Sequence, residues 1–144
     1  MDVEKAIETV KKVEKEEKVA KATKHLAVLL IRGTVRVRHD IKKALYILKL
    51  RQKQALAVLD DNATNHGLLH KVKDYVAYGY ISHETLKALQ KRPSIMKNGK
   101  PINVFRLPPP KGGFGRKGIK VSFANGGCLG KRTDMDDFLK RMLW

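Results

Sequence analysis

The run Gly113-Phe114-Gly115-Arg116-Lys117-Gly118 has the glycine spacing that lets a backbone wrap a dinucleotide pyrophosphate. That chemistry needs a strand before the glycines, a helix after them, and an acid about 20 residues on to hold a ribose. Here Pro108-Pro109-Pro110 precedes the run, a strand-like stretch from Ile119 to Phe123 follows it, and Asp134 starts a different element. Gly130-Lys131 comes close to a phosphate-binding loop. Its first glycine would have to be Asn125, however, and Arg132 stands where a magnesium-binding Ser or Thr is required. His66 and His70 share a helical face but have no third ligand nearby, so they read as facing solvent or RNA. Asp60-Asp61 and Asp136-Asp137 are adjacent pairs whose side chains diverge; turn-making and helix capping account for them. No Ser/His/Asp or Cys/His set can be nominated from spacing. The single cysteine, Cys128, excludes an intrachain disulfide and a cysteine-based zinc site. The expectation is a chain with no catalytic residue, no metal, no cofactor and no small-molecule substrate.

A different chemistry is written in the charge. Lys and Arg total 31 against 14 Asp and Glu, a formal charge of +17. Such self-repulsion is normally relieved by a polyanion. From Thr85 to Thr133 there is no acid at all, while twelve bases occur, among them Arg106, Lys111, Arg116, Lys117, Lys120, Lys131 and Arg132. A solvated surface would intersperse both signs, so this stretch is expected to press against phosphates and release their condensed counterions. Glycines between the bases, Gly112 and Gly113 in particular, would let the backbone approach a nucleic-acid backbone, and Phe114 is placed to stack on a base. In Arg32-Gly33-Thr34-Val35-Arg36-Val37-Arg38, an extended backbone would put Arg32, Arg36 and Arg38 on one side. Their planar guanidinium forks suit phosphate and base contacts. Lys71 and Lys73, at the end of a helical segment, complete the candidate set.

These groups need elements to carry them. Leu26 to Ile31 and Ala55 to Leu59 are short apolar runs and read as buried strands. Asp40 offers a cap for a helix with Ile41, Ala44, Leu45 and Leu48 inward. A second helix is expected over about 65–78, with Leu68, Leu69, Val72, Tyr75 and Val76 inward and Gly79 as its C-terminal cap. Ser82 caps a third helix that ends before Pro93. Asn98-Gly99 marks a turn, Ile102 to Leu107 is a further strand, Ile119 to Phe123 alternates like a half-buried one, and Thr133 or Asp134 caps a last helix. The order predicts an α/β sandwich with helices on one face of a small sheet. Three parts follow: a charged N-terminal helical arm (1–25), an α/β RNA-binding core (26–107), and a Gly/Pro-rich basic extension ending in a helix (108–144). The stretches 108–118 and 125–132 are too poor in apolar residues to order unaided.

Neither a secretory leader nor an apolar run near the ~20 residues of a membrane span is visible, so a soluble chain with no membrane partner is expected. A nucleotide-dependent or RNA-modifying enzyme is disfavoured for want of a metal-holding or general-base carboxylate. A membrane-surface role would need bulky aromatics along residues 2–24, and none is there.

Four stretches resemble the large-subunit ribosomal protein thirty family, archaeal and eukaryotic branch, whose eukaryotic counterpart is large-subunit ribosomal protein seven. They are Ile31 to Arg38, Gly67 to Gly79, Phe105 to Gly113, and Gly126 to Arg132 with the final helix. Together they cover most of residues 26–143 in the family's order. The resemblance implies an α+β fold, ferredoxin-like (βαβαβ), with a small antiparallel three-stranded sheet backed by helices. It further implies a structural, non-catalytic role in the cytoplasmic ribosome. The implied partners are large-subunit ribosomal RNA, with 5S ribosomal RNA as one candidate, and neighbouring ribosomal proteins. The segment 93–104 is shorter than in that branch, and the N-terminal arm is also short, with a charge of only +1.

Overall fold

The computed structural model describes residues 25–143, together with Val3 and Ile7. Val3 and Ile7 are helical and exposed; the remainder of the expected N-terminal arm, up to residue 24, lies outside the described residues. The elements run β1 (His25–Leu30), α1 (His39–Ile47), β2 (Ala55–Asp60), α2 (Ala63–Val72), β3 (Val76–Ile81), α3 (His83–Gln90), β4 (Ser94–Lys97), β5 (Lys100–Arg106), β6 (Gly130–Lys131) and α4 (Met135–Met142). The class is α+β, and β1-α1-β2-α2-β3 is the βαβαβ unit. Its three strands are antiparallel neighbours, with β1 between β2 and β3.

The sheet is larger than three strands. Its order is β4-β5-β2-β1-β3-β6, the β4–β5 hairpin extending one edge and β6 adding a parallel strand at the other. Asn98 and Gly99, both at positive φ (52° and 74°), make the two-residue turn of that hairpin. The third strand of the unit is β3, where a helix through Tyr78 had been expected. Helix α2 stops at Val72 because its buried face runs out at Leu69 and Val72. Beyond the turn, Val76, Tyr78 and Tyr80 alternate with Ala77, Gly79 and Ile81 at the period of a strand. Gly79 is therefore no helix cap. It sits in mid-strand opposite Ala27, and a Cβ there would lie 2.5 Å from the carbonyl oxygen of Arg132. The missing side chain lets the C-terminal extension cross the sheet, where the Arg132 amide donates to the Tyr78 carbonyl at 2.8 Å.

Helices on one face also gives way to layers on both. Strand β1 shows why: Ala27, Leu29 and Ile31 enter one core cluster, and Leu26, Val28 and Leu30 enter the other. A strand buried on both sides reads as a continuous apolar run. The second cluster is closed by Ala44, Leu45 and Leu48 of the α1 segment and by Leu69 and Val72 of α2. The first is closed by Leu86 and Leu89 of α3, Cys128 and Leu129, and Met135, Phe138, Leu139 and Met142 of α4. Each buried Leu, Ile, Val, Phe or Met side chain contributes roughly 1.5–3 kcal/mol relative to exposure.

Ser82 caps α3 as expected, its Oγ accepting from the Thr85 amide. Asp40 lies inside the first turn of α1, whose cap position is Arg38. Asp134 holds the cap position of α4, but its carboxylate is turned elsewhere. Ile119 to Phe123 forms no strand of its own: Ser122 makes one bridge to Leu129, and Phe123–Asn125 is a 3-10 turn.

Candidate nucleic-acid interface

Strand register collects the cations. Leu30 faces Val76, Leu29 faces Leu56, and Ala55 faces Arg106. The C-terminal ends of β1 and β5 and the N-terminal ends of β2 and β3 thus share one end of the sheet. Arg32 follows β1 there, Arg51 and Lys53 precede β2, Lys71 and Lys73 lie between the last turn of α2 and β3, and Arg106 closes β5. Backbone bonds tie these turns together. The amides of Ile31 and Arg32 donate to the Tyr75 carbonyl at 3.2 and 3.1 Å, that of Gln54 to Leu30 at 2.7 Å, and that of Leu107 to Gln54 at 3.1 Å.

Arg32, Arg36 and Arg38 do not hang from a strand. The strand ends at Leu30, and Arg36 is left-handed (φ 59°), so the loop turns where extended backbone had been expected. Arg32 lies over the Tyr75 ring at 5.0 Å and donates to the Asp74 carbonyl at 3.4 Å. Arg38 makes an exposed 3.3 Å pair with Asp40. Arg36, Lys71, Lys73 and Arg106 are exposed. Lys49 and Gln54 are also left-handed (both φ 62°) in turns at this end of the sheet. Non-glycine residues in that conformation are kept where surrounding structure demands them, often at functional surfaces. The sequence reading missed Lys49, Arg51 and Lys53, which are scattered one by one between α1 and β2. The left-over signal was four bases in the eleven-residue run from Lys43 to Lys53.

The extension carries a second group. The Lys111 amide donates to the Arg141 carbonyl at 3.1 Å, setting the loop against the end of α4. Lys111, Arg116, Lys117 and Lys120 are exposed, with Lys140 and Arg141 nearby in α4. Lys117 Nζ donates to the Asn125 carbonyl at 2.8 Å, closing one loop onto the other. Gly112 and Gly113 both take positive φ (81° and 78°), a conformation in which L side chains are strained. Lys131, in β6 beside Tyr78, is exposed.

Two members of the expected set are engaged internally. Phe114 is half-buried against the core, with its ring 6.3 Å from that of Phe138. Arg132 is only 6% exposed. It grips Asp134, lies over the Phe138 and Phe123 rings at 4.2 and 4.8 Å, and donates to Cys128 Sγ at 3.1 Å. It leaves the list of phosphate contacts. Burial pushes the Cys128 thiol up, against the opposing pull of Arg132. Cys128 and Leu129 are buried, and both amides donate to the Val121 carbonyl, so the 125–132 stretch is held by the core rather than waiting for a partner.

Several carboxylates have structural partners. Asp136 accepts from the Ser82 amide at 3.0 Å and from Thr85 Oγ1 at 2.7 Å, joining α4 to α3. Asp61 accepts from Tyr80 Oη at 3.1 Å and contacts His66 Nε2; the bond to Asp61 raises the Tyr80 hydroxyl. Among the described residues no three His, Cys, Asp or Glu side chains gather as a metal site, and no helix is long and apolar enough to cross a membrane.

A βαβαβ unit buried on both faces, with a group of cations at one end of its sheet, defines a small basic α+β protein. The family model described as Ribosomal protein L30p/L7e matches residues 26–76, from β1 to the first residue of β3. The chain is similar to the Large ribosomal subunit protein uL30 of Methanococcus maripaludis, 34% identical over 81% of this chain and 98% of the relative. To the same-named proteins of Methanopyrus kandleri and Nanoarchaeum equitans it is 31% and 28% identical, over 78% and 81% of this chain and 100% and 97% of theirs. The chain belongs to the ribosomal protein L30p/L7e family.

Proposed function

We propose that this protein is a structural, non-catalytic constituent of the large ribosomal subunit in the cytoplasm, where it binds and stabilises ribosomal RNA. The gathering of Arg32, Arg51, Lys53, Lys71, Lys73 and Arg106 at one sheet end carries the RNA reading. Arg36, Arg38, Lys111, Arg116, Lys117, Lys120 and Lys131 extend the same field. The rigid sheet end presents several guanidinium and ammonium groups at little ordering cost, and each phosphate neutralised releases a counterion. The left-handed Gly112-Gly113 turn gives the extension a shape that helical RNA can meet through its backbone. The 5S ribosomal RNA is one candidate partner, beside large-subunit RNA and neighbouring ribosomal proteins.

The test is sucrose-gradient fractionation of native extract, with this chain detected in each fraction. It should sediment with the large subunit at low salt and be released at high salt. Recovery in the soluble fraction at low salt would overturn the reading.

A further inference from the structure

Between α1 and the β4–β5 hairpin lies a groove of about 440 Å³ that the basic sheet end does not account for. Its lining is apolar: Tyr46 and Ile47 on one side, Ile95 and Met96 on the other, Ile102 and Val104 between them. Tyr46 and Met96 are 59% and 66% exposed, Ile47 and Ile95 55% and 37%. Within residues 25–143 only two other large apolar side chains, Val35 and Tyr80, are so exposed. A concentration of this kind marks a binding surface.

The groove also has a charged rim. Lys49, Arg51, Lys97 and Arg106 line it, and no Asp or Glu does. Arg51 lies over the Tyr46 ring at 4.6 Å. Arg51 and Arg106 belong to the basic sheet end as well, so groove and cationic surface are continuous.

We propose that this groove receives an unpaired nucleotide of the RNA whose backbone crosses the basic end, the base stacking on Tyr46 beside Ile47 and Met96 and its flanking phosphates meeting Arg51, Lys97 and Arg106. The proposal rests on the RNA-binding reading and deepens it. A flat apolar occupant bearing an anion on each side matches an apolar floor with a wholly cationic rim. A protein segment would have to bring several carboxylates around a matching apolar stripe. The volume lies in the range of about 300–1,000 Å³ common to pockets that hold small organic groups.

The test uses the full chain, a six-nucleotide single-stranded RNA, and an RNA duplex of similar charge, with affinities read by fluorescence anisotropy at one salt concentration. Tyr46 is exposed, so Tyr46→Ala should fold, and circular dichroism checks it. Tyr46→Ala should weaken the single strand about tenfold, as loss of one base–aromatic stack does, and Met96→Ser should weaken it by less. Tyr46→Phe should retain the affinity, and duplex binding should not change. A 2-aminopurine in the strand should be quenched by the wild type and not by Tyr46→Ala. Equal affinities of wild type and Tyr46→Ala for the single strand would overturn the groove proposal while leaving salt-dependent duplex binding, and the broader reading, in place. Failure of the wild type to bind either RNA would overturn both.

Discussion

Arg132 and Asp134 form a two-pronged pair, Nε to Oδ1 at 3.0 Å and Nη2 to Oδ2 at 2.9 Å, two residues apart in sequence. The guanidinium side chain is 5% exposed and the carboxylate 41%. The remaining Nη1 donor faces Cys128, so a cation that read as a phosphate contact instead fastens the extension over the sheet. Only Arg has a fork that meets both carboxylate oxygens and Cys128 at once. Arg132→Lys should lower stability by about 1–3 kcal/mol through unsatisfied buried groups, as checked by urea unfolding.

The same pair sets an acid response. Bonding to Arg132 holds the Asp134 carboxyl below its ordinary value of 3.8. A group depressed in the folded state contributes stability above its unfolded pKa and loses it as pH falls through the folded one. The stability gap between wild type and Asp134→Asn should therefore be full near neutral pH and shrink below about pH 4. A gap that stayed constant to pH 2 in thermal melts would remove the pair from the acid response.

Gly79→Ala should destabilise the protein by about 1–3 kcal/mol, the usual effect of overpacking. The added Cβ would meet the Arg132 carbonyl at 2.5 Å and Met135 Cβ at 3.1 Å. Gly67, at the exposed face of α2 with open space around it, is the control; Gly67→Ala should stabilise slightly because alanine favours helix. Denaturant midpoints for the two variants should move in opposite directions.

Replacing Lys71, Lys73 and Arg106 with Gln should lower the salt slope of RNA binding by up to about 2–3 units, at roughly 0.7–0.9 per phosphate contact. Arg132→Gln should leave that slope unchanged despite its effect on stability. Affinities across a potassium chloride series separate the two.

Changing Gly112 and Gly113 to Ala keeps every charge but places L side chains at φ of 81° and 78°, each costing about 1–2 kcal/mol. The salt slope should persist while affinity for native ribosomal RNA falls. Unchanged specific affinity would make the loop a charged tether.

Cys128 is fully buried and its thiol is shifted upward from 9.0 by burial. Labelling with a thiol-reactive disulfide at pH 8 should be far slower than for a free thiol, and should accelerate together with global unfolding in denaturant. Rapid labelling of the native protein would mean that the 125–132 loop opens independently of the core.

What the sequence determined by itself was whatever has a local cause. The buried strands at Leu26 and Ala55 announced themselves as unbroken apolar runs, Ser82 as a cap and Asn98-Gly99 as a turn. Four ordered motifs, each weak alone, were together enough to point to the family. What required the tertiary structure was whatever depends on partners distant in the chain. The apolar residues from Leu68 to Val76 fit a helix and a strand alike, and only pairing with β1 makes Val76 to Ile81 a strand. Both core faces were invisible because α4 and Cys128 return over β3 from some fifty residues away. Charge in a sequence has a sign but no depth. Arg106 and Arg132 look alike as letters, yet sheet register exposes the first, while the second is buried among Asp134, Phe138 and Cys128.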